Sequence, residues 1–472
     1  MELQVLDVGG PLTPLVGVYS RYGWNHPGPW GLWILAVPYR LLGTDHGLLA
    51  AALLVNLVWF AILAWLLLRA MPRASALICL VGMWIVVAAY GPGGLSDPWN
   101  PWLALAPSMV GAVAAASLRF DHRLAPLAVV ASAVGVQNHA GHALLAATVV
   151  ILVAVSLVRK PASARLVVLT VGAFVVMWAP LAIDAATNPR GGNVGEIVRD
   201  ALGRSGTHRE IDGTITAGVG PVEGLRLFGR ELGLDGTWRT HTPDADEWGA
   251  VRTGSWISVG LVMAVGVGLA LALARLELTD EKRWWLVATL AIWVASAVSF
   301  AIIRGTPYAY VVGFGVVPVL LAWSALWRVV EVHTRAVQAG AAIAVVLLAG
   351  YVSWTFRIAQ PQEHRISEVG TSLAPAVLEY LQEADADEVW IGPRNSWVVT
   401  SLQVGVRREQ ISLSRNAKHV IKVIPAGGDS PEGAELIAQW RAPENDKPDV
   451  DNRVDEFFQY RYGVDVYAQT NG

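Results

Sequence analysis

The run "HGLLAAALLVNLVWFAILAWLLL" at residues 46–68 carries no acidic or basic side chain beyond its first residue, His46. A helix of about 20 apolar residues crosses the hydrocarbon core of a bilayer, so this run predicts a transmembrane span. Similar blocks predict further spans at residues 74–90, 102–118, 124–137, 142–158, 165–183, 256–275, 284–303, 308–327 and 336–356. The block at 124–137 is short, which is typical of a partial or tilted helix. The sequence therefore predicts an α-helical polytopic membrane protein with about ten spans.

The composition agrees with a membrane protein. Of the 472 residues, 54% are hydrophobic and 15% are charged, whereas soluble domains carry about 25% charged residues. The net charge of -3 gives no indication of a nucleic-acid partner. The single cysteine, Cys79, excludes a disulfide framework and a cysteine metal cluster. Abundant Ala, Val, Leu and Gly with few Lys are typical of a bacterial genome rich in G and C.

Basic residues fall on alternate loops between the predicted spans, and the positive-inside rule makes those loops cytoplasmic. They are Arg69, Arg73, Arg119, Arg123, Arg159, Lys160, Arg165, Arg275, Lys282, Arg283, Arg328 and Arg335. Residues 1–45, 91–101, 138–141, about 184–255, 304–307 and all those after 357 then lie outside the cytoplasmic membrane. An exterior N-terminus without a signal sequence is unusual. Either the short tail crosses unaided or, as we expect, one more helix precedes residue 1.

The sequence predicts three regions. Residues 1–45 form a first exterior loop with a juxtamembrane helix, and residues 46–357 form the transmembrane domain with a large exterior loop at about 184–255. After residue 357 short apolar elements alternate with Pro, Gly and charged residues, which is typical of a soluble α/β domain. The third region is therefore an extracytoplasmic α/β domain at residues 358–472.

The first exterior loop contains "YSRYGWNHPGPWGLWILAVPYRLLG" at Tyr19–Gly43. The segment Pro29–Leu42 is too short to span and predicts an interfacial helix, with Leu32, Trp33, Leu35, Ala36, Val37 and Tyr39 in the membrane surface. The prolines before it fix a rigid turn. Arg21, Asn25 and His26 are then held at the level of the lipid headgroups. The alternative is a structural turn whose polar residues are simply satisfied.

An exterior loop with the turn "HPGP", a short helix ending in "LLG" and a following span together resemble the GT-C glycosyltransferases. The resemblance is to the branch with protein O-mannosyltransferases and lipid A aminoarabinose transferase, where the turn is commonly Lys-Pro-Pro. It extends to "LSDPWNPW" at Leu95–Trp102, "QNHAGH" at Gln137–His142 and "DAATNPRGGN" at Asp184–Asn193. The last of these also resembles uncharacterised actinobacterial membrane proteins.

The resemblance implies transfer of a sugar, with inversion, from a polyprenyl phosphate to a glycan, glycolipid or protein acceptor on the outer face of the membrane. A carboxylate takes the proton of the acceptor hydroxyl. Cationic side chains or a divalent metal ion stabilise the departing phosphate. The sequence leaves open which of these acts, and which sugar is moved.

By the family pattern, the base is an early acid, and Asp7 is the candidate here unless the true base precedes residue 1. The alternative is a turn-forming Asp before Gly9 and Gly10. Asp97 is the second catalytic candidate, holding a metal ion or positioning the acceptor, and Asn100 shares its loop. The alternative for Asp97 is an ordinary start of a helix.

Polar residues between two apolar runs predict a cavity lining, and the candidates are Gln137 and His139, with Asn138 and His142 beside them. Asn25 and Asn100 are further candidates for that lining. For the donor phosphate we expect Arg304, with Arg21 and His26 as alternatives on the opposing loop. The acidic runs at Asp244–Glu247 and Asp385–Glu388 are interpreted as solvated loops.

Two other functions remain open at this point. A lipid-linked sugar transporter or flippase is the first, although matched halves of the chain, which such transporters show, are not evident. A non-catalytic assembly partner that keeps the GT-C-like fold without its base is the second.

Overall fold

The computed structural model describes residues 1–20, 22–42, 47–90, 93–159, 162–202, 218–232, 255–305, 307–331, 335, 339, 343, 364–392, 402–404, 406–407, 411–413, 417–425, 434–441 and 463–470. The chain forms two compact units. The first comprises Met1 and Val8–Ala359, and the second comprises Glu2–Asp7 and Gln360–Gly472.

Helices build the first unit. They are α2 (Trp30–Leu42), α3 (Gly47–Ala70), α4 (Arg73–Tyr90), α5 (Gly93–Ser96), α6 (Asn100–Ala116), α7 (Ala125–Asn138), α8 (Ala143–Arg159), α9 (Ala164–Thr187), α10 (Gly192–Ala201), α11 (Pro221–Leu232), α12 (Trp256–Arg275), α13 (Asp280–Ala301), α14 (Ala309–Val312) and α15 (Val316–Val330). Short 3-10 turns at His122–Leu124, Ala140–His142, Pro189–Gly191 and Gly313–Gly315 lead into α7, α8, α10 and α15.

Six helices of the described chain are long and apolar enough to cross a membrane, so the chain is a membrane protein. They are Gly47–Ala70, Ala140–Arg159, Ala164–Thr187, Trp256–Arg275, Asp280–Ala301 and Gly313–Val330. Helices also form at the other predicted spans from 74 to 137. The predicted span at 336–356 lies outside the described residues except for positions 339 and 343.

Helices α6 and α7 lie in the centre of the first unit, and nearly all of their side chains are buried. They approach closely because glycine occupies the contact on each helix. A Cβ on Gly111 would lie 3.0 Å from the backbone nitrogen of Ser132, and one on Gly135 would lie 2.1 Å from Oγ of Ser108. Small residues allow this close backbone packing in membrane proteins. Their central position explains why helices of 17 and 14 residues are as apolar as spans.

The juxtamembrane segment is helical, but its predicted contact with lipid is wrong for four residues. Leu32, Leu35, Ala36 and Tyr39 are buried in the protein, because this face of α2 packs on α3 and α7. Val37, by contrast, is 63% exposed. A stripe of apolar residues has the same sequence pattern whether it contacts lipid or a neighbouring helix.

The second unit holds a five-stranded sheet. The strands β1 (Glu388–Gly392), β2 (Ser412–Leu413), β3 (His419–Pro425), β4 (Glu435–Arg441) and β5 (Gly463–Thr470) lie in the order β2-β1-β3-β5-β4. Strands β2, β1 and β3 are parallel, whereas β5 is antiparallel to β3 and β4. Helices α1 (Glu2–Asp7) and α16 (His364–Glu383) belong to the same unit. Its core joins Leu373, Val377 and Leu381 of α16 to apolar residues of the sheet.

One of the two acidic runs lies in the part of the chain that the structure describes. Asp385 lies in the turn between α16 and β1, at a φ of 50°. This agrees with the interpretation of that run as a loop except at its last residue, Glu388, which begins β1. The run at Asp244–Glu247 lies outside the described residues.

Candidate functional site

The residues ahead of α2 form a small hairpin, residues 17–26, which we call the N-terminal hairpin. The amide of Gly17 donates to the carbonyl of His26 at 2.9 Å, and the amide of His26 donates to the carbonyl of Val18 at 2.8 Å. Gly23 makes the turn, at a φ of 84°, which glycine adopts without steric cost. The hairpin carries the predicted residues Asn25 and His26, while Arg21 lies outside the described residues.

His26 of the hairpin meets the break between α7 and α8. Its Nδ1 accepts a hydrogen bond from the amide of Ala140 at 3.1 Å. The His26 and His139 rings lie 5.2 Å apart, and those of His139 and His142 lie 6.0 Å apart. We call these three residues the histidine cluster, and all three are buried. Two predicted site residues, His26 and His139, thus come together across more than a hundred residues of sequence.

Acid should weaken the structure at this cluster. Burial lowers the pKa of His26 well below its usual 6.5, and repulsion from His139 and His142 lowers it further. The unfolded chain then binds more protons than the folded chain below pH 6.5, so the stability contributed by neutral His26 is lost as the pH falls through that value. We expect the unfolding temperature in detergent to fall as the pH drops from 7 towards 5, and His26→Gln to flatten that dependence. An unchanged slope in the variant would contradict this assignment.

The amide side chains beside the cluster connect neighbouring helices. Nε2 of Gln137 donates to the carbonyl of Met177 in α9 at 2.7 Å. The same carbonyl accepts from the indole of Trp30 at 2.9 Å. Nδ2 of Asn100 donates to the carbonyl of Asn138 at 2.8 Å. The predicted residues Asn100 and Gln137 therefore connect α6, α7, α9 and the start of α2.

Asn25 contacts Asn193, which the sequence indicates only as the last residue of the motif at Asp184–Asn193. The side chain of Asn193 in α10 accepts from the amide of Asn25 and donates to its carbonyl, each at 2.8 Å. The main-chain amide of Asn193 in turn donates to the Asp184 carboxylate at 2.7 Å. Asp184 also accepts from Asn188 at 2.8 Å. Near the end of α9, this buried carboxylate therefore caps the start of α10.

Arg304 holds the other end of α10. Its guanidinium donates to the carbonyls of Asp200 and Ala201 at 3.0 and 3.3 Å, the kind of pairing that cations make with the free carbonyls at a helix C-terminus. The hydroxyl of Tyr22 donates to the carbonyl of Arg304 at 2.9 Å. Arg304, predicted to bind the donor phosphate, thus connects α10 to the N-terminal hairpin, and its side chain is 40% exposed.

The two candidate bases lie in different units. Oδ1 of Asp97 accepts from the amide of Trp99 at 2.8 Å, a local turn that leads into α6. Asp7 belongs to the second unit, where its carboxylate pairs with Arg407 at 2.6 Å. Asp97 is therefore the candidate in the same unit as the histidine cluster.

Among the described residues, no group of three His, Cys, Asp or Glu side chains has a geometry that holds a metal ion. In the histidine cluster, Nδ1 of His26 already accepts a hydrogen bond from the main-chain amide of Ala140, so this nitrogen is not available to a metal ion. A metal role for Asp97 stays a prediction.

Sequence reasoning missed Asp184 and Asn193 as parts of the site. The signal available was the spacing in "DAATNPRGGN", where an acid and an amide flank Pro-Arg-Gly-Gly. Such a run predicts a sharp turn, and a carboxylate before a turn is a natural acceptor for the first amides of the next helix.

Comparisons of the chain with protein families, with curated proteins and with solved structures return no match.

Proposed function

We propose that this protein is an inverting glycosyltransferase of the cytoplasmic membrane. It moves a sugar from a polyprenyl phosphate to a glycan, glycolipid or protein of the cell envelope, on the outer face. The observation that carries the proposal is the convergence of candidates from three separate segments. His26, Asn100 and the pair Gln137 and His139 lie at one helix break, connected through hydrogen bonds and ring contacts.

We assign the role of base to Asp97. Its carboxylate takes the proton of the acceptor hydroxyl as that oxygen attacks the sugar carbon, and the polyprenyl phosphate leaves from the opposite side. Asp97 lies three residues before Asn100, whose side chain contacts the helix break. Asp7 is the less favoured base because its carboxylate is already paired with Arg407. Exposed cationic side chains or a divalent metal ion stabilise the departing phosphate.

The first test is a search for the donor. Native mass spectrometry of the protein purified in detergent should detect a retained polyprenyl phosphate, and the mass of its head group identifies the sugar. Retention of ordinary phospholipid alone, even after addition of polyprenyl-phosphate sugars, would count against the proposal and favour an assembly partner.

The second test separates catalysis from structure. Asp97→Asn should lower the transfer rate by about 10²–10⁴-fold, the usual contribution of a general base, while donor binding persists. Asp121→Asn is the control for loss of a turn-forming carboxylate, because Oδ1 of Asp121 accepts from the amide of Arg123 at 3.0 Å while its Oδ2 pairs with Arg69. Equal rates in the two variants would remove Asp97 from the mechanism. Movement of the lipid across vesicles without transfer would identify a flippase instead.

A further inference from the structure

Helix α10 buries two of its polar residues and exposes an apolar stripe. Asn193 and Asp200 are 6% and 8% exposed, whereas Val194, Val198 and Leu202, the residue after the helix, are 36%, 50% and 60% exposed on a different side. These three recur every four residues, so they form one stripe along the helix. We propose that this stripe is a membrane-contact surface, with the apolar side chains inserted into the boundary between lipid headgroups and acyl chains.

The anchors of α10 fix its place along the bundle. Its first turn is bonded to Asp184, three residues before the end of α9. Its last turn is bonded to Arg304, three residues after the end of α13. Both α9 and α13 are long and apolar enough to span a membrane. The two ends of α10 are therefore held at the ends of two spans.

The length of α10 shows that those two ends lie at one boundary of the membrane. A helix of 10 residues is about 15 Å long, whereas the hydrocarbon core is about 30 Å thick. A segment this short does not connect opposite boundaries. The helix therefore lies across the end of the bundle, where an amphipathic helix meets the membrane interface.

Lipid is the occupant that the neighbouring surface indicates. Ile183, the residue before the anchoring Asp184, is apolar and 50% exposed, and Val176, two turns earlier, is 57% exposed. The lipid-facing surface of α9 therefore extends to the point where α10 is attached. Arg190, exposed just before α10, places a cation at the level of the lipid headgroups, which long basic side chains reach from the ends of spans.

This surface also bears on the N-terminal hairpin. Asn193 at the start of α10 binds the main chain of Asn25. Arg304, whose guanidinium donates to the end of α10, accepts the Tyr22 hydroxyl through its main-chain carbonyl. Both ends of α10 are thus fastened to the hairpin that carries His26. A membrane contact on α10 sets the depth of that hairpin relative to the lipid headgroups, whatever reaction the protein performs.

The single cysteine of the chain makes the inference testable by site-specific labelling. In a Cys79→Ala background, Val198→Cys and Leu202→Cys are labelled with a small environment-sensitive fluorophore, and the full-length protein is placed in nanodiscs. Glu196→Cys is the matched control, because the Glu196 side chain is 43% exposed on a different side of the same helix. Val175→Cys, on the 58% exposed Val175 of α9, is the reference for full contact with lipid.

We expect brominated acyl chains to quench the labels at 198 and 202 several-fold more than the label at 196. Iodide in the buffer should give the opposite order. Quenching of all three α10 labels by iodide alone would show a water-facing helix and overturn the proposal. Protection of 198 and 202 from both quenchers would show that protein covers the stripe, and would overturn it equally. None of these outcomes depends on whether the protein transfers a sugar.

Discussion

Gly192→Ala is expected to lower the stability of the protein more than alanine in place of any other glycine at the site. Gly192 has φ 54° and ψ -143°, a region of backbone space that residues with a Cβ avoid at a cost of about 1–3 kcal/mol. A Cβ there would lie 2.4 Å from Oδ2 of Asp184 and 2.7 Å from its carbonyl oxygen. The carbonyl is backbone at the end of α9, so it does not swing aside. Overpacking adds about 1–3 kcal/mol.

The measurement is the apparent unfolding temperature of the purified protein in detergent, with the wild type alongside. Gly172→Ala is the control, because Gly172 lies on the exposed side of α9 with nothing within 4 Å of its Cβ position. Alanine in place of a helical glycine is neutral or stabilising by about 0.5–1 kcal/mol. A Gly192→Ala protein that unfolds at the wild-type temperature would contradict the turn geometry.

The positions of the helices are largely readable from the sequence, whereas their neighbours are not. Helices form at the predicted spans from 46–68 to 308–327, because a long apolar block leaves the backbone few alternatives in a membrane. The burial of Leu32 and Leu35 against α3 and α7 is not predictable in this way. Lipid and protein interior are equally apolar, so hydropathy does not distinguish a face that packs on helices from one that contacts acyl chains.

The candidate site shows the same division. His139 and Gln137 are recognisable because polar residues interrupt two apolar runs. The partner of Asn25 is Asn193, 168 residues away, and no local pattern connects the two. Arg304 was predicted from its position at a helix end, where a cation suits phosphate and backbone carbonyls alike. Only the fold shows that two carbonyls of α10 accept from it.

The second large effect is expected at Gly31→Ala, where α2 begins against α7. A Cβ on Gly31 would lie 1.8 Å from Oδ1 of Asn138 and 2.7 Å from its Cγ. The Asn138 amide is buried, and its Nδ2 donates to the carbonyl of Val134 at 3.0 Å. To avoid the methyl group, the amide must give up this bond or α2 must shift. We expect a loss of about 1–3 kcal/mol from overpacking and the broken hydrogen bond.

A compensating truncation shows whether the contact itself is responsible. Asn138→Ala removes every atom that the new Cβ would strike, while the main-chain carbonyl that accepts from Asn100 remains. The double variant should therefore lose less free energy of unfolding than the two single variants lose in total. The difference, which measures the coupling between two residues in contact, is expected to be about 0.5–3 kcal/mol. Additive changes would mean that Gly31 and Asn138 do not touch, and α2 would then not be seated on α7 at the histidine cluster. Strong coupling would establish that contact independently of any assay of sugar transfer.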